Sequence, residues 1–544
     1  MFTNKIYIYI VMATLVLFLP FLGALHLFDW DEVNFAECAR EMIETGDYTQ
    51  VLINFVPFWE KPPLFIWMQA LSMKAFGISA FSARLPNLFA ALFTFLFLYK
   101  GGEKLKGPKF GLIWVMAYAG SFLPNIYFHS GIMDPWFNLF IITGIYFGHK
   151  ALEQDRLRYY ITSGILIGLA ILTKGPVGLI LFSAPLFVFM LLNRKKALPK
   201  WSGVLSFITS LIVIGGLWFC LLLLQGKEQV IHEFITYQVR LFQTKDAGHG
   251  GPFYYHFLVI LLGCFPASFI ALRRLSFRPK YSFEFLMMLT LLFTLLLFSV
   301  VQTKIIHYSS LCYFPITFLA ASHIFDQLGN KSSLKMSARS VLIGLLMLGI
   351  IFTVVGLVLN YPEMILNNFN LDAFTKDTLS QNLDPSLWHY LPGTFVLLAT
   401  TLLHFNYRKD KLKTVLMGGG MTIAVSILTL NPMVKRIEVF SQGGHVSLCK
   451  SVQMKYKNVL IHPIGFKSFV PLFYGRQKST IMKNEWEAMD EFNLVNRTGL
   501  NRPVFFTSKA YKKREILELY PNLNCIDQEG GFCLYSKKDQ VLLK

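Results

Sequence analysis

The sequence predicts a polytopic α-helical membrane protein that carries a small C-terminal α/β domain. Of its 544 residues, 54% are hydrophobic and only 15% are charged, whereas charged residues make up about 25% of an ordinary soluble domain. Apolar runs of about 20 residues, the length needed to cross a bilayer as a helix, recur along the chain. The net charge of +19 is carried by short basic clusters between these runs, which is typical of membrane loops. We therefore expect a lipid bilayer, and no nucleic acid, as a partner.

The apolar runs predict about thirteen spans. They lie near residues 6–28, 80–100, 108–126, 131–149, 159–173, 175–193, 202–224, 252–272, 282–301, 305–325, 338–360, 388–406 and 414–432. The first run follows Lys5 in the manner of a signal peptide. It is long, however, and lacks a small-residue cleavage site, so we expect an uncleaved first span.

Basic residues are concentrated in alternate loops, such as 100–109, 194–200 and 408–413. Because positive charge is enriched in cytoplasmic loops, these loops and the N-terminus are predicted to face the cytoplasm. The remaining loops and the C-terminal segment then lie together on the outer face.

The chain is predicted to divide near residue 433. Residues 1–433 form a transmembrane domain whose outer loop, 29–79, concentrates carboxylates, and residues 434–544 form a soluble α/β domain. Within the second domain we expect strands at 459–461, 504–506 and 532–535, and helices near 484–492 and 510–518.

The outer loop is predicted to contain two interfacial helices. Residues 33–46 place Phe35, Ala39, Met42 and Ile43 on an apolar stripe and leave Glu37, Arg40, Glu41 and Glu44 off it. Such a helix is expected to lie in the interfacial plane rather than to span the membrane. Residues 64–76, after a double proline, predict the second helix.

The same loop contains candidate catalytic residues. Asp31 and Glu32 follow the first span, where partial desolvation suits a general base; ordinary solvated residues at the end of a span are the alternative. Lys61 lies in Glu60-Lys61-Pro62-Pro63, and the two prolines restrict its backbone. A lysine fixed near the bilayer suits a lipid phosphate, although a lysine that merely extends to the interface remains the alternative.

Further ionisable residues lie at the outer ends of spans. Asp134 precedes Pro135, where it is either functional or a simple helix cap. Lys174, Lys304 and Tyr308 lie at outer boundaries, against the usual cytoplasmic bias of positive charge. This exception makes them candidates for binding an anion.

The loop 225–251 adds Arg240, which can hold a phosphate through two hydrogen bonds. It also contains His232 and His249, which are candidate ligands of a divalent metal. Two distant histidines are more often surface residues, so the sequence establishes no cofactor.

Several motifs, in order, resemble one family of enzymes. They are Asp31-Glu32, Ala36-Glu37, Ala39-Arg40-Glu41-Met42, Glu60-Lys61-Pro62-Pro63, Ala83-Arg84-Leu85-Pro86, Leu172-Thr173-Lys174-Gly175-Pro176, Gly250-Gly251-Pro252-Phe253-Tyr254-Tyr255 and Lys304 with Tyr308. The chain thereby resembles the C-type (GT-C) membrane glycosyltransferases of the aminoarabinose-transferase and protein-mannosyltransferase group over about residues 20–325.

The resemblance implies a polyprenyl-phosphate-linked sugar as donor and transfer on the non-cytoplasmic face. It implies that Asp31 is the catalytic acidic residue, that Asp134 is a second acidic site and that Lys61 contacts the lipid phosphate. Glu32 is added as a catalytic candidate. Arg240, Lys304, Tyr308 and Lys174 are the further candidates for phosphate binding, and some family members hold a metal near the glutamate of the Glu-Lys-Pro-Pro motif.

The function expected is inverting transfer of a sugar to an envelope acceptor, either lipid A or another glycolipid. Protein O-mannosylation is the first alternative, and a lipid-linked sugar transporter without chemistry is the second. A transporter is disfavoured because no repeated halves are visible and the ionisable residues collect at one face. The resemblance places the protein in the bacterial inner membrane, with its site and C-terminal domain in the periplasm.

Overall fold

The computed structural model describes residues 2–194, 198–243, 250–275, 281–328, 334–407, 411–456, 458–476, 491–496 and 502–538. The helices of the first half are α1 Phe2–Phe18, α2 Asp31–Thr45, α3 Leu64–Phe76, α4 Ala80–Lys106, α5 Pro108–Ala119, α6 Phe122–Ile126, α7 Asp134–Gln154, α8 Leu157–Lys174, α9 Val177–Leu192, α10 Trp201–Gly215, α11 Leu217–Leu224 and α12 Glu228–Gln243. A hairpin of two short strands, β1 Leu52–Ile53 and β2 Val56–Pro57, lies between α2 and α3.

The remaining elements complete the helical part and form the C-terminal sheet. The helices are α13 Tyr255–Gly263, α14 Ala267–Ala271, α15 Phe283–Val300, α16 Tyr313–Gln327, α17 Leu334–Asn360, α18 Glu363–Asn368, α19 Ala373–Leu379, α20 Leu391–Tyr407, α21 Lys411–Leu430, α22 Pro432–Glu438, α23 Gly444–Lys455, α24 Val470–Tyr474, α25 Glu491–Asn496 and α26 Lys513–Leu519. The strands are β3 Leu460–Pro463, β4 Val504–Lys509, β5 Leu523–Glu529 and β6 Phe532–Lys537.

The predicted fold class is confirmed, and helices lie at each of the thirteen predicted positions. By length and apolar composition alone, four helices of the described residues can cross a membrane, or six if the bent pairs α5 with α6 and α10 with α11 each count as one span. Several others are short, such as α9 with 16 residues, against about 20 needed for an untilted span. The number of spans therefore stays a prediction.

The first helix is shorter than predicted. It ends at Phe18 instead of continuing to residue 28. Pro20 lies two residues further on, and a proline disfavours helical backbone in the residue before it, here Leu19. Residues 19–30 consequently form an irregular connection that leads into the outer loop.

The C-terminal sheet has the strand order β3-β4-β6-β5. β3 and β4 pair in parallel, and the other two pairs are antiparallel. The predicted strands at 459–461, 504–506 and 532–535 and the helix near 510–518 are present. The prediction missed β5, an edge strand, and the predicted helix near 484–492 falls largely outside the described residues.

The predicted boundary near residue 433 falls within helical backbone. The chain is helical from Thr414 to Lys455, a run of 42 residues. One turn of π-helix, Val439–Gly443, lies within this run. The helical run that contains the last predicted span therefore continues past the predicted boundary into the C-terminal segment.

The predicted helix over residues 33–46 is present as α2, which spans Asp31–Thr45. Gly46 ends it with a left-handed φ of 73°. Glu37, Arg40 and Glu41, which the pattern places off the apolar stripe, are buried. The C-terminal domain covers α2, and one apolar cluster joins residues of α2 and α3 to residues of α23, β3 and α24.

Burial of the charged side chains of Glu37, Arg40 and Glu41 is offset by contacts within the loop. Arg40 donates two hydrogen bonds of 2.7 Å to Glu37, and Glu41 accepts from the backbone N–H groups of Asn54 and Phe55.

Candidate active site

One polar cavity of about 500 Å³ lies where the outer loop, three membrane helices and the C-terminal domain meet. The loop supplies Asp31, Glu60 and Lys61, and the start of α7 and the end of α8 supply Asp134 and Lys174. Its remaining charged or polar side chains include Asp29, Glu32, Asn34, Tyr237, His307, Tyr308 and Lys467. Six of the eight residues predicted from the sequence to be catalytic or to bind phosphate therefore line this cavity.

Asp31 is the first residue of α2, and the residues before it fix its position. Trp30 has a φ of 73°, a left-handed conformation that is unfavourable for a bulky residue. Asp29 stabilises this turn, because its carboxylate accepts from the N–H of Trp30 at 2.8 Å, the N–H of Phe469 at 3.0 Å and the hydroxyl of Ser468 at 2.5 Å. Burial raises the pKa of Asp29 despite these three donors.

The two predicted catalytic aspartates are linked through His307. Its Nε2 lies 3.3 Å from Asp31 Oδ2 and 3.8 Å from Asp134 Oδ2. The Asp31 side chain is 41% exposed, whereas that of Asp134 is 4% exposed. Asp31 can therefore meet a substrate directly, whereas Asp134 and His307 are placed to orient it.

The cavity also holds two of the predicted cations. Lys174 Nζ lies 2.6 Å from Asp134 Oδ1 and 4.8 Å from the centre of the Tyr308 ring. Lys61 Nζ lies 5.2 Å from the centre of the Tyr237 ring. Aromatic faces attract cations and hold these long side chains in place.

The polar cavity adjoins a smaller apolar crevice of about 70 Å³. Both are lined by Lys61, Lys174 and Tyr308. The rest of the crevice is lined by Phe137, Val177, Gln238, Leu297, Phe298 and Val301. The two lysines and the phenol consequently stand at a boundary between polar and apolar space, as a phosphate attached to a hydrocarbon chain requires.

Glu32 is placed differently from the prediction. It forms a buried ion pair with Arg84, with hydrogen bonds of 2.9 and 2.8 Å, and also accepts from the N–H groups of Phe28 and Gly131. Burial favours the protonated form, but Arg84 and the backbone donors outweigh it and lower the pKa of Glu32. Because its oxygens are already engaged, we assign Glu32 to positioning α2 rather than to catalysis.

Lys304 is also placed differently. Its Nζ donates to the carbonyl oxygens of Phe298, Ser299 and Val301 at 2.6–2.9 Å. These groups end α15, where helix carbonyls lack partners of their own. Lys304 is 6% exposed and caps this helix, and the cavity is lined by its neighbours His307 and Tyr308 instead.

Arg240 and His232, the two predicted loop residues that the structure describes, are not among the residues that line the cavity. Arg240 is exposed on α12, with its guanidinium 5.1 Å from the Tyr237 ring centre. His232 is exposed on the same helix, and His249 lies outside the described residues. Within the described part of the chain, no three side chains of His, Cys, Asp or Glu converge as metal ligands. A metal at Glu60 stays a prediction.

Sequence reasoning missed three residues that shape the cavity. His307 lies beside two named candidates, but a single histidine carries no specific pattern. Asp29 accepts hydrogen bonds from Ser468 and Phe469, and Lys467 lies over Trp30. These contacts join segments that are more than 400 residues apart in the sequence. Only the folded chain brings them together.

Comparisons with known proteins find similar sequences and a similar fold. Residues 60–219 match the family described as dolichyl-phosphate-mannose-protein mannosyltransferase. The chain is 25% identical over 327 residues to the undecaprenyl phosphate-alpha-4-amino-4-deoxy-L-arabinose arabinosyl transferase of Shewanella sediminis, and 26% identical over 336 residues to the protein of that name from Pseudomonas aeruginosa. These alignments cover 58% and 59% of this chain, and 59% and 60% of the two relatives.

Solved structures extend the similarity to the whole chain. The ArnT structure from Cupriavidus metallidurans with bound undecaprenyl phosphate superposes with a TM-score of 0.76, covers 98% of both chains and is 18% identical. Its apo form gives a TM-score of 0.74. At this level of identity, the superposition establishes a shared fold.

Proposed function

We propose that this chain, a relative of the C-type polyprenyl-phosphate-sugar-dependent membrane glycosyltransferases in sequence and in fold, transfers a sugar from a polyprenyl phosphate to an envelope glycolipid. The observation that carries the proposal is the single cavity in which Asp31, Asp134 and His307 face Lys61 and Lys174, beside an apolar crevice. The names of the curated relatives, which act with an undecaprenyl-phosphate sugar, support this donor class.

The donor phosphate is placed between Lys61 and Lys174, with the Tyr308 hydroxyl near it. The first isoprene units of the donor then occupy the crevice around Phe137, Leu297 and Phe298. Lys174 is already paired with Asp134, so it is held ready to share its protons with an arriving phosphate. The undecaprenyl phosphate present in the ArnT structure supports a lipid phosphate as the ligand of this fold.

The reaction breaks the bond between the anomeric carbon and the phosphate oxygen and forms a bond from that carbon to an acceptor oxygen. Negative charge grows on the departing polyprenyl phosphate, and the two lysines stabilise it. The acceptor attacks from the face opposite the phosphate, so the anomeric configuration inverts. No further oxidant, reductant or energy source is required, because the glycosyl phosphate supplies the leaving group.

Asp31 is the residue placed to act on the acceptor. If the acceptor oxygen belongs to a hydroxyl group, its proton passes to Asp31, whose developing neutral form is held in place by His307. If the acceptor is a phosphate, it is already ionised, and Asp31 then stabilises positive charge on the sugar ring. Both routes need the same carboxylate at the same position.

Protein O-glycosylation is the second candidate function, favoured by the description of the family that residues 60–219 match. The residues proposed to bind the donor fit this function equally well, because both activities use a sugar attached to a polyprenyl phosphate. They differ only in the acceptor. For either acceptor, we place the protein in the bacterial inner membrane, with this cavity on the periplasmic side.

The experiment is mass spectrometry of envelope glycolipids and proteins from cells that express the wild type or Asp31→Asn. The matched control is Glu44→Gln, which removes an exposed carboxylate from the same helix. We expect Asp31→Asn to lower modification of a glycolipid at least about 100-fold, as loss of a general base does. Glu44→Gln should leave it unchanged.

The outcome assigns the acceptor as well. A sugar lost from proteins, with glycolipids unchanged, would replace the proposed acceptor by the second candidate. If Asp31→Asn is inserted at wild-type level and alters neither class of molecule, transfer is not the function of this site.

A further inference from the structure

Part of the cavity wall is built by the C-terminal domain. Lys467 precedes α24 and lines the cavity together with Phe469. Its Nζ lies 5.3 Å from the centre of the Trp30 ring and 5.4 Å from that of Phe469. We name these three residues the aromatic rim. The C-terminal domain therefore contributes both a cation and an aromatic surface to the site.

The rim is held in a fixed geometry. The Trp30 and Phe469 rings meet edge to face, with centres 5.8 Å apart and an interplanar angle of 89°. Asp29 bridges the two segments, because it accepts from the N–H groups of both Trp30 and Phe469. Conformations such as the left-handed backbone of Trp30 cost about 1–3 kcal/mol and persist where surrounding contacts enforce them. Asp29 supplies such contacts here.

The charge of Lys467 has no acidic partner among the described residues. No carboxylate of that part of the chain lies within ion-pair distance of its ammonium group, and the two Asp29 oxygens are engaged by Ser468, Trp30 and Phe469. Lys61 and Lys174, by contrast, lie at the end of the cavity that continues into the apolar crevice. A donor phosphate bound between Lys61 and Lys174 leaves the ammonium group of Lys467 available for a second anion.

We propose that the aromatic rim of Trp30, Lys467 and Phe469 binds the headgroup of the acceptor, and that this headgroup is a phosphorylated sugar. The Trp30 indole, 41% exposed, offers an apolar face to the ring of a sugar, and Lys467 pairs with the phosphate. The rim lies directly beside Asp31, so a headgroup bound there places an acceptor oxygen next to the proposed base. This inference rests on the proposed function and deepens it by naming the acceptor subsite.

The test measures two affinities separately, with the purified full-length protein in phosphatidylcholine nanodiscs. The first ligand is undecaprenyl phosphate, and the second is the deacylated glucosamine disaccharide of lipid A with both phosphates. The variants are Lys467→Gln, Lys467→Arg and the control Lys455→Gln, which removes an exposed lysine of the same domain outside the cavity lining.

We expect Lys467→Gln to weaken binding of the disaccharide bisphosphate about tenfold, which is about 1.4 kcal/mol, with the affinity for undecaprenyl phosphate unchanged. Lys467→Arg should retain most of the affinity, and Lys455→Gln all of it. The difference between wild type and Lys467→Gln should shrink in high salt and with the dephosphorylated disaccharide.

Two results would overturn the inference alone. One is a wild type that binds undecaprenyl phosphate but not the disaccharide bisphosphate. The other is equal disaccharide affinity in wild type and Lys467→Gln. A wild type that binds neither ligand would instead contradict the proposed function, so the two failures are distinguishable.

Discussion

At the scale of single residues, lysines that look alike in the sequence have different surroundings. Lys61 and Lys174 line the cavity, whereas Lys304 donates to three carbonyl oxygens at the end of α15. The sequence signal was the same for Lys174 and Lys304, a cation at an outer span boundary. Only the position of the nearest acceptors separates a ligand-binding lysine from a helix cap.

This difference predicts opposite effects of two substitutions. Lys61→Gln should weaken binding of undecaprenyl phosphate about tenfold and change thermal stability little, because it removes a contact made with the ligand. Lys304→Gln should leave that affinity unchanged and destabilise the protein by about 2–3 kcal/mol, because buried carbonyl groups lose their donor. Ligand titration and thermal unfolding in nanodiscs check both. The same pattern of effects in both variants would contradict the assignment.

The Glu32–Arg84 ion pair predicts a stability defect rather than a catalytic one. Arg84 is 3% exposed, and Glu32→Gln would leave its charge without its carboxylate. Loss of one partner of a buried pair costs about 3–5 kcal/mol. We therefore expect a lower unfolding temperature and less inserted protein. A variant of wild-type stability that is inactive would instead return Glu32 to the catalytic group.

At the scale of elements, the helix α2 shows where sequence patterns suffice and where they do not. Its apolar stripe and Gly46 predicted both its existence and its end. The same pattern does not indicate that the charged residues off the stripe are buried, because the segments that cover α2 belong to the C-terminal domain. A helix with buried Glu37 and Arg40 has the same sequence period as one that lies on a membrane. Which partner covers it is decided by residues 400 positions away.

The missed strand β5 has a comparable cause. Its sequence, Leu-Asn-Cys-Ile-Asp-Gln-Glu, lacks the alternation that marks a half-buried strand, and most of its residues are exposed or half-buried at the sheet edge. Its pairing with β6 shifts register between Cys525 and Asp527, as in a β-bulge. The buried strands β4 and β6 were predicted because they are continuous apolar runs.

The hydrogen bonds of Asp29 attach the C-terminal domain to the outer loop, and they predict the effect of replacing this residue. Asp29→Asn keeps the shape of the side chain but weakens its bonds to Ser468 and Phe469. We expect faster hydrogen exchange at the N–H of Phe469 and in residues 28–31, with exchange in α7 unchanged. If the variant exchanges at the wild-type rate at Phe469 and in residues 28–31, Asp29 does not join the two segments.

At the scale of the whole molecule, a chain of polar contacts crosses from the sheet to the cavity. Thr507 and His445 lie 3.0 Å apart, His445 and Ser468 3.5 Å apart, and Ser468 donates to Asp29. His445 is stacked on Phe532 with ring centres 4.8 Å apart. Burial of His445 lowers its pKa to about 3.

This histidine predicts a pH dependence of stability. The unfolded chain takes up a proton at His445 near pH 6.5, whereas the folded protein resists it until about pH 3. The contribution of His445 to the free energy of unfolding is therefore fully present above pH 6.5 and is lost as the pH falls toward 3. At pH 5 the loss is about 2 kcal/mol. Thermal unfolding of wild type and His445→Gln between pH 5 and pH 7.5 checks it. An equal pH slope in both would contradict the prediction.

The sequence predicted the fold class, the positions of most helices and several of the residues that line the cavity. Asp31, Lys61, Asp134, Lys174 and Tyr308 were all named from local patterns, and the structure brings them together. His307, Asp29 and Lys467 were not included among the predicted site residues, because their contacts join distant segments and leave no local pattern. Whether each named residue has its proposed role stays a prediction.

The most direct test of the central claim is an experimental structure of this protein with undecaprenyl phosphate. The account predicts the phosphate within hydrogen-bonding distance, about 3 Å, of Lys61 and Lys174, and the first isoprene units against Phe137 and Phe298. Asp31 should face the phosphate across the cavity with room for a sugar between them. A phosphate bound outside this cavity, with the crevice empty, would contradict the account.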